Sequence, residues 1–384
     1  MKTVSRTVFV LWGIAFILGL YGLVTKFSTA ERLAGYGSYV PWGLWIAVYF
    51  HLIGIAGGVF AVSVIGYFLN IAGFRESLRV TLVVSGICVL CGLFSVWLDL
   101  GQPFRAANIM FFPNFGSMMA FNAWMYNVFF LVIVVIFVLS LNKDRQTDRN
   151  DKSGWLIPLL SLGFLLSIAY PSQSGAFFGV VDAKPFWNSP LLPLLFLGSA
   201  ITSGAAVLLL VYLFVFNISF TISEHPFKML RYTIIGGIVF YFICEFAEFS
   251  LVFWSPNSDI REAVRLVMFG PFWWVFWGVH LGGAFLALFL LLFGRTANAV
   301  GTGAFVVAVT FISARLNILI PGQAVAQLKG LQDAFYHSRL RFDYAPSVNE
   351  YLVAIFVAAM AIGLMYAGIK LLSRYTSSKI GEAI

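Results

Sequence analysis

The stretch VPWGLWIAVYFHLIGIAGGVFAVSVIGYFL, residues 40–69, decides the fold class of this chain. It is thirty residues long, contains no Asp, Glu, Lys or Arg, and begins with two tryptophans, Trp42 and Trp45. About 20 apolar residues in a helix cross the ~30 Å hydrocarbon core of a bilayer, and tryptophan is enriched where that core meets water. The stretch therefore predicts a membrane-spanning helix that begins at a membrane interface.

The composition of the whole chain agrees with a membrane protein. Of its 384 residues, 60% are hydrophobic, 17% are aromatic and only 10% are charged, whereas soluble domains have about 25% charged residues. The 24 Lys and Arg are scattered over many short loops and form no basic patch. A soluble enzyme, a disordered chain and a nucleic-acid binder are thereby excluded, and membrane lipid is the expected surroundings.

Ten apolar runs are long enough to span a bilayer. They are 7–25, 40–69, 80–98, 117–141, 155–170, 190–217, 232–254, 269–294, 297–319 and 349–372. Such runs are much longer than the roughly ten-residue alternating segments of outer-membrane barrels. The sequence therefore predicts an all-α integral membrane protein, with residues 1–384 forming a single polytopic domain.

The distribution of basic residues predicts the orientation, because Lys and Arg are enriched in cytoplasmic loops. Fourteen of the 24 basic residues fall on the side that holds both termini, nine fall on the other side, and Arg315 lies within a span. Both termini are therefore expected in the cytoplasm. The longest loop, 321–349, then faces outward, and loops of that length are often functional.

Six ionisable side chains fall within the spans or at their ends, where charge is costly and marks functional sites. They are His51, Asp99, Glu245, Glu248, His280 and Arg315. Glu245 and Glu248 share a helix face, so Arg315 either neutralises one of them in a structural ion pair or leaves a carboxylate to carry protons. His51 and His280 either donate to backbone carbonyls or ligate a single haem, since the chain has only four histidines.

Two further stretches place polar and helix-breaking residues near the outer ends of the spans. Asp99-Leu-Gly-Gln-Pro-Phe-Arg105 is followed by Pro113-Asn-Phe-Gly-Ser117, and an ion pair between Asp99 and Arg105 is the structural interpretation of the first segment. Tyr170-Pro-Ser-Gln-Ser-Gly175 is followed by Pro185-Phe-Trp-Asn-Ser-Pro-Leu-Leu-Pro-Leu-Leu-Phe196. This second pattern predicts a helix that breaks at the membrane surface near Tyr170, where protein or water must cover the freed backbone.

Together with the tryptophan-rich second span, these stretches resemble the membrane subunit of polysulfide reductase, the NrfD/PsrC family. The matching patterns are D-L-G-x-P-x-R with P-N-x-x-S, and Y-x-x-x-x-G with P-x-W-N-S-P-L-L-P-x-L-F. The resemblance covers residues 36–295, and the ten spans are similar to the branch with hydrogenase and sulfur-metabolism membrane subunits. W-x-x-W and G-G-x-F recur in the second and eighth spans, which favours two four-helix bundles plus extra helices.

The resemblance implies a quinone-reactive subunit that binds menaquinone or ubiquinone and holds no haem or iron–sulfur cluster of its own. It also implies an extrinsic iron–sulfur subunit and a molybdopterin or hydrogenase catalytic subunit on the outer, periplasmic side of a bacterial or archaeal cytoplasmic membrane. By position, Tyr170 is similar to the family's quinone-binding tyrosine. The family's Asn and His before the second span have no counterpart in Gly35-Tyr-Gly-Ser-Tyr-Val-Pro-Trp42, so His51, with Tyr39 behind it, is the expected second partner.

The predicted function is electron transfer between membrane quinone and the iron–sulfur subunit, in a complex whose catalysis this chain does not complete alone. The expected catalytic residues, including acids that relay protons from the outside, are Tyr170, His51, Asp99, Glu245 and Glu248. Further expected quinone contacts are Tyr39, Gln173, Trp187, Arg105, Arg315 and His280. A secondary transporter and a haem b anchor are the competing functions. No metal site is predicted, because Cys88 and Cys91 lie inside an apolar run without a second pair.

Overall fold

A computed structural model describes residues 6–29, 33–71, 73–143, 154–215, 225–328, 330–337 and 339–382. The regular structure of these residues is entirely helical, with ten segments long and apolar enough to cross a membrane. The helices are α1 (Arg6–Thr29), α2 (Leu44–Phe68), α3 (Leu78–Asp99), α4 (Asn108–Phe111), α5 (Met118–Lys143), α6 (Leu156–Gly179), α7 (Leu192–Val215), α8 (His225–Leu251), α9 (Ser258–Phe269), α10 (Gly283–Phe293), α11 (Ala297–Thr310), α12 (Ile312–Ala324) and α13 (Val348–Glu382). A π-helical segment, Val275–Gly282, leads into α10, and α11 and α12 form one span bent at Phe311. The predicted all-α membrane fold is confirmed.

The spans pack as two bundles and one outlying pair. Helices α2, α3, α5 and α6 form the first bundle, and α7, α8, α10 and the α11–α12 span form the second bundle. Contacts between α2 and α7 join the two bundles, while α1 and α13 pair with each other and α13 packs against α3. Two four-helix bundles plus extra helices are therefore what the structure shows.

A pair of glycines allows the two bundles to join closely. A side-chain carbon added at Gly58 on α2 would lie 1.9 Å from the backbone oxygen of Ala200 on α7. One added at Gly204 would lie 2.4 Å from the backbone of Gly58. Only glycine permits this backbone-to-backbone approach, which is how small residues bring membrane helices together.

Among the described residues, the two ends of the bundles carry different lengths of chain outside the spans. The loop-rich face holds segments 100–117, 180–191, 252–274 and 325–347, and it includes the amphipathic helix α9, which buries Ala263, Val264 and Val267. The opposite face holds short turns such as 294–296. The charge distribution predicts the loop-rich face to be the outer one. Among the basic residues in that count, Lys2, Arg32, Arg145, Arg149, Lys152 and Lys329 lie outside the described residues.

The expected helix break at Tyr170 is wrong. Helix α6 runs through Pro171 and ends at Gly179, nine residues beyond Tyr170. Proline is tolerated inside membrane helices when neighbouring side chains satisfy the backbone groups it disturbs. Pro171 leaves the carbonyl of Ser167 without its helical donor, and on the neighbouring turns the hydroxyl of Ser172 donates to the carbonyl of Ile168 at 2.9 Å and that of Ser174 to the carbonyl of Tyr170 at 2.8 Å.

The long loop is also shorter than its predicted limits of 321–349. Helix α12 includes Pro321 and continues to Ala324, and α13 begins at Val348. Donors from another loop hold the last turn of α12: Trp187 Nε1 donates to the carbonyl of Ile318 at 2.8 Å. Lys184 Nζ caps the helix by donating to the carbonyls of Gln323 and Val325 at 3.0 and 2.9 Å.

Candidate functional site

Tyr170 lies inside the first bundle and is completely buried. Its hydroxyl donates to the carbonyl of Ile53 on α2 at 2.8 Å. Gly57, on the next turn of α2, makes room for this contact, because an added side-chain carbon would lie 2.6 Å from the hydroxyl oxygen. The oxygen of Tyr170 keeps its lone pairs, so it can still accept a hydrogen bond from a bound molecule.

Tyr126 and Asn122 on α5 extend this polar region toward the loop-rich face. The ring of Tyr126 lies edge-on to that of Tyr170, with 5.4 Å between centroids, and its hydroxyl is 2.7 Å from Ser174 Oγ. Since the Ser174 hydrogen goes to the carbonyl of Tyr170, Tyr126 is the donor in this contact. Asn122 lies one turn nearer the loop-rich face, and its buried Oδ1 has no hydrogen-bond partner among the described residues.

We call Asn122, Tyr126, Tyr170 and Ser174 the α5–α6 polar cluster. Asn122, Tyr126 and Ser174 were not predicted as site residues. A tyrosine or an asparagine inside an apolar helix is usually interpreted from sequence as a core or capping residue, and only the packing of α5 on α6 shows that Tyr126 meets Ser174 and Tyr170. The signal that was available is weak: Asn122 and Tyr126 are four residues apart and therefore share one helix face.

Two predicted quinone contacts on α6 and the following loop take different roles. Gln173 is half-buried, so part of its side chain remains open to a ligand. Trp187 instead has a structural role. It stacks on Trp42 at 5.9 Å between centroids, uses its Nε1 hydrogen on Ile318, and fills the space that Gly322 leaves open.

His51 does not lie beside Tyr170. It points from α2 toward the second bundle, where its Nε2 is 2.8 Å from the carbonyl of Ala308 on α11. A carbonyl can only accept, so Nε2 carries the hydrogen. Tyr170 contacts α2 at Ile53 and Gly57, on a different side of that helix. The structure therefore does not support His51 as the second partner of a quinone held by Tyr170.

Arg315 lies between the two bundles and is 2% exposed. Its Nη2 donates to the carbonyl of Phe196 at 3.1 Å, and its guanidinium carbon sits 3.8 Å from the centroid of the Phe196 ring. Gly54 on α2 leaves the space that the guanidinium occupies, since an added side-chain carbon would be 3.2 Å from Nη2. Nε and Nη1 have no hydrogen-bond partner within the described residues. Arg315 is thus a buried cation with spare donors.

Arg315 forms an ion pair with neither Glu245 nor Glu248, which was one of the two alternatives for these residues. Glu245 Oε2 instead lies 3.1 Å from His280 Nε2, and His280 Nδ1 lies 2.9 Å from Ser313 Oγ. The π-helical segment carries His280 into this position, and such segments often occur at functional sites. Because both ring nitrogens of His280 contact protein groups, and His51 Nε2 contacts Ala308, this arrangement does not fit a bis-histidine haem.

The other predicted residues lie near the loop-rich face and away from Tyr170. Glu248 accepts a 2.5 Å hydrogen bond from Ser189, Tyr39 stacks on Phe342 at 4.5 Å between centroids, and Arg105 is exposed in the turn Pro103–Ala107. Asp99 ends α3 and lies within electrostatic range of Tyr344 in the long loop. These four residues therefore do not form one site with Tyr170.

Tyr344 is part of a buried hydrogen-bond network that joins α13 to the start of α2. Its hydroxyl donates to Glu350 at 2.5 Å and accepts from the backbone nitrogen of Leu44 at 2.8 Å. Glu350 also accepts from the backbone nitrogens of Gly35 and Ser347. Burial, together with the Glu350 carboxylate, raises the pKa of the Tyr344 hydroxyl, so it remains a donor at physiological pH.

Comparison with known proteins agrees with this architecture. The family model for polysulphide reductase, NrfD, matches residues 33–327, which is most of the chain. The chain belongs to the NrfD family. The match begins just before α2 and ends just after α12, so it includes both bundles and leaves out α1 and α13. It favours the oxidoreductase interpretation over the transporter, because the curated relatives are subunits of reductase complexes.

Two relatives are similar to nearly the whole chain. A selenate reductase subunit of Mesobacillus selenatarsenatis is 25% identical, over 94% of this chain and 93% of its own. The Hdr-like menaquinol oxidoreductase integral membrane subunit of Archaeoglobus fulgidus is 24% identical, over 96% of this chain and 93% of its own. Protein NrfD of Escherichia coli is 29% identical, over 64% of this chain and 81% of its own. The chain is therefore a multi-pass member of a family of membrane subunits from quinone-linked oxidoreductase complexes.

Proposed function

We propose that the chain is the quinone-reactive subunit of a multisubunit oxidoreductase, and that the quinone ring binds at the α5–α6 polar cluster. The observation that carries the location is the buried Oδ1 of Asn122, which has no partner among the described residues and lies one turn from Tyr126. An unpaired buried amide oxygen costs about 1–3 kcal/mol, so a position of this kind is expected to meet a ligand donor. The menaquinol-linked relative from Archaeoglobus fulgidus supports a quinol as that donor.

The cluster has the groups that both redox states of a quinone need. A quinol donates two hydroxyl hydrogens, which the Oδ1 of Asn122 and the hydroxyl oxygen of Tyr170 can accept. A quinone accepts at its carbonyl oxygens, for which the amide of Gln173 remains available. The rings of Tyr49 and Phe129, each packed against a tyrosine of the cluster, provide the apolar surroundings of the ring.

We further propose that electrons pass to an extrinsic iron–sulfur subunit on the loop-rich face, with a molybdopterin or hydrogenase catalytic subunit beyond it. The cluster lies in the half of α5 and α6 nearest that face. Large aromatic side chains there are open to a partner: Phe104 is 88% exposed, Phe112 is 81% exposed and Tyr336 is 99% exposed. These side chains lie on loop segments 100–117 and 325–347, beyond the ends of the spans.

The test is to replace Asn122 by leucine, which has a similar shape and no amide. We expect Asn122→Leu to lower quinol-linked turnover of the purified complex about tenfold or more, since about 1–3 kcal/mol of hydrogen bonding is removed. Asn127→Leu is the matched control. Asn127 lies on the same helix, and its amide nitrogen donates to the carbonyl of Ala123 at 2.7 Å.

Equal turnover in the Asn122→Leu and Asn127→Leu complexes would remove Asn122 from the quinone site. Turnover with an artificial electron donor to the catalytic subunit is measured alongside. This second activity should be unchanged in both variants, because neither side chain acts on the catalytic subunit. A loss of this second activity would mean that the complex has come apart.

A further inference from the structure

The loop-rich end of the second bundle carries α9, an amphipathic helix that segments 252–257 and 270–274 connect to α8 and to the π-helical segment. The apolar face of α9 packs against α12 and against the turn that contains Trp187. Trp277, inside the eighth span, donates its Nε1 hydrogen to the carbonyl of Met268 in the last turn of α9 at 2.9 Å. This bond fixes the end of α9 at the level where the eighth span begins.

Large aromatic side chains flank α9 at both ends and are open to the surroundings. Phe253 and Trp254, which precede the helix, are 77% and 80% exposed, and Phe269 in its last turn is 73% exposed. Trp273 and Trp274, just before the eighth span, are exposed as well. Tryptophan is enriched where the hydrocarbon of a bilayer meets water, because its ring has an apolar body and a polar N–H. These rings, at the ends of two spans, indicate that α9 lies along the membrane interface.

The exposed face of α9 is basic on two neighbouring turns. Arg261 and Arg265 are four residues apart, so they share one side of the helix, where like charges repel each other mildly. Arg265 Nη1 lies 3.5 Å from Glu262 Oε2, but both side chains are exposed, and such surface pairs contribute at most about 1 kcal/mol. Arg261 Nη2 donates to the carbonyl of Ser255 at 2.9 Å. Since a guanidinium has five N–H donors, both arginines keep donors for a phosphate group.

The second acid of α9 is opposed by a cation of the chain itself. Asp259 lines a small cavity together with Lys184 and lies within electrostatic range of its ammonium group. On the exposed face, the two arginines then exceed the single carboxylate of Glu262 by one positive charge. This face therefore attracts an anionic group.

We propose that α9 is an interfacial anchor whose Arg261 and Arg265 bind the phosphate of an anionic phospholipid in the leaflet on the loop-rich side. The phosphate lies between two cations that otherwise repel each other, and the flanking aromatic rings contact the lipid just below its headgroup. A phospholipid fits this face better than an extrinsic protein subunit, because the aromatic residues continue directly from the ends of membrane spans. The surface proposed for the iron–sulfur subunit lies on other segments, 100–117 and 325–347. The lipid site is independent of the proposed quinone site.

The first experiment measures the depth of α9 in a membrane. A nitroxide is attached to Phe269→Cys in the full-length chain, in vesicles of phosphatidylcholine and phosphatidylglycerol; the native cysteines are buried. Oxygen, which concentrates in lipid, should relax this label more than a water-soluble nickel chelate does. Tyr336→Cys is the control, because Tyr336 is 99% exposed in the long loop and should favour the chelate. A Phe269 label that the chelate reaches as readily as the Tyr336 label would overturn the proposal.

The second experiment identifies the ligand by native mass spectrometry of the purified complex after exposure to phosphatidylglycerol. The variant with both Arg261→Gln and Arg265→Gln should lose the bound lipid. The variant with both Arg339→Gln and Arg341→Gln should keep it, because these exposed arginines lie in the long loop away from α9. Equal amounts of phosphatidylglycerol on the two variants would overturn the site.

Two other results of the same measurement would replace the lipid by a different partner of α9. Displacement of phosphatidylglycerol by inorganic phosphate alone would show that Arg261 and Arg265 bind a free anion, and would overturn the lipid site. Loss of an extrinsic subunit from the Arg261→Gln, Arg265→Gln complex, with its phosphatidylglycerol retained, would show that this face binds protein. Loss of phosphatidylglycerol with every subunit retained is the result that the proposal predicts.

Discussion

At the scale of single residues, Tyr170 has a double role in this account. Its hydroxyl stabilises the packing of α6 on α2 through Ile53, and its oxygen faces the proposed quinone site. Tyr170→Phe should therefore lower the free energy of unfolding by about 1 kcal/mol and also reduce quinone turnover. Tyr212→Phe is the control, because Tyr212 is equally buried but bonds to Ser77 far from the cluster.

Thermal unfolding and quinone kinetics of the two variants are measured on the purified complex. Both should be destabilised to a similar extent, and only Tyr170→Phe should change the quinone kinetics. Unaltered quinone kinetics in Tyr170→Phe would show that Tyr170 contributes to helix packing and not to quinone binding.

Replacing Arg315 tests whether its buried charge contributes to function and not to stability. Its Nε and Nη1 are unpaired among the described residues, whereas the guanidinium of Arg231 donates to the carbonyls of Leu291 and Leu292. Replacing a poorly compensated buried charge by an apolar side chain of similar size is neutral or stabilising. Arg315→Met should therefore not lower the unfolding temperature, while Arg231→Met should lower stability by about 1–3 kcal/mol through lost charged hydrogen bonds.

Unfolding curves of the two methionine variants in the same detergent check this expectation. Turnover-linked proton movement should fall in Arg315→Met, since the buried cation near Tyr241 is gone. A large loss of stability in Arg315→Met would show that groups such as ordered waters compensate the charge and that it is part of the structural core.

At the scale of helices, α2 and α7 cross closely where the two bundles meet. Gly58→Ala would place a carbon 1.9 Å from the Ala200 oxygen, and overpacking of this kind costs about 1–3 kcal/mol. Gly236→Ala on α8 is the control, because an added carbon there meets no atom within 4 Å. It should be neutral or slightly stabilising, since alanine favours helix by up to about 1 kcal/mol over glycine.

The measurement is the unfolding temperature of each variant together with its elution volume on a sizing column. Equal unfolding temperatures for Gly58→Ala and Gly236→Ala would show that the close crossing of α2 and α7 does not stabilise the packing of the two bundles.

The helices also show which features can be predicted from sequence. The ten spans were predictable because an apolar run of about 20 residues has few alternatives in a chain with 10% charge. The continuation of α6 past Pro171 was not, because it depends on packing against neighbouring helices, such as the contact of Tyr170 with Ile53 on α2. The same holds for Pro321, where donors from Lys184 and Trp187 in a distant loop complete α12.

The site was predictable only in part for a related reason. Sequence reasoning identified the intramembrane His51, Glu245, His280 and Arg315, because polar side chains in apolar runs are conspicuous. It could not pair them, since the partner of Glu245 depends on which face the π-helical segment presents. The sequence did not identify Asn122 as a site residue, because an isolated amide near the start of a helix has many structural explanations.

At the scale of the whole molecule, the proposed docking of the partner subunits requires the loop-rich face to lie outside the cytoplasm. Ser258 on that face and Asn298 near the opposite turn are both exposed, and Cys88, Cys91 and Cys244 are buried. In intact cells, a membrane-impermeant thiol reagent should label Ser258→Cys and leave Asn298→Cys unlabelled until the membrane is opened. The reverse pattern would place the loop-rich face in the cytoplasm and invert the proposed docking side.

A photoreactive quinone analogue can show whether quinone binds between α5 and α6. Illumination of the purified complex, followed by peptide mapping, should place the label on segments 118–130 and 170–179, and excess natural quinol should prevent it. Asn122→Leu should weaken this labelling, and Asn127→Leu should not. The opposite result is a label that concentrates on the second bundle, or on α1 and α13, and that natural quinol prevents. This result would contradict quinone binding between α5 and α6.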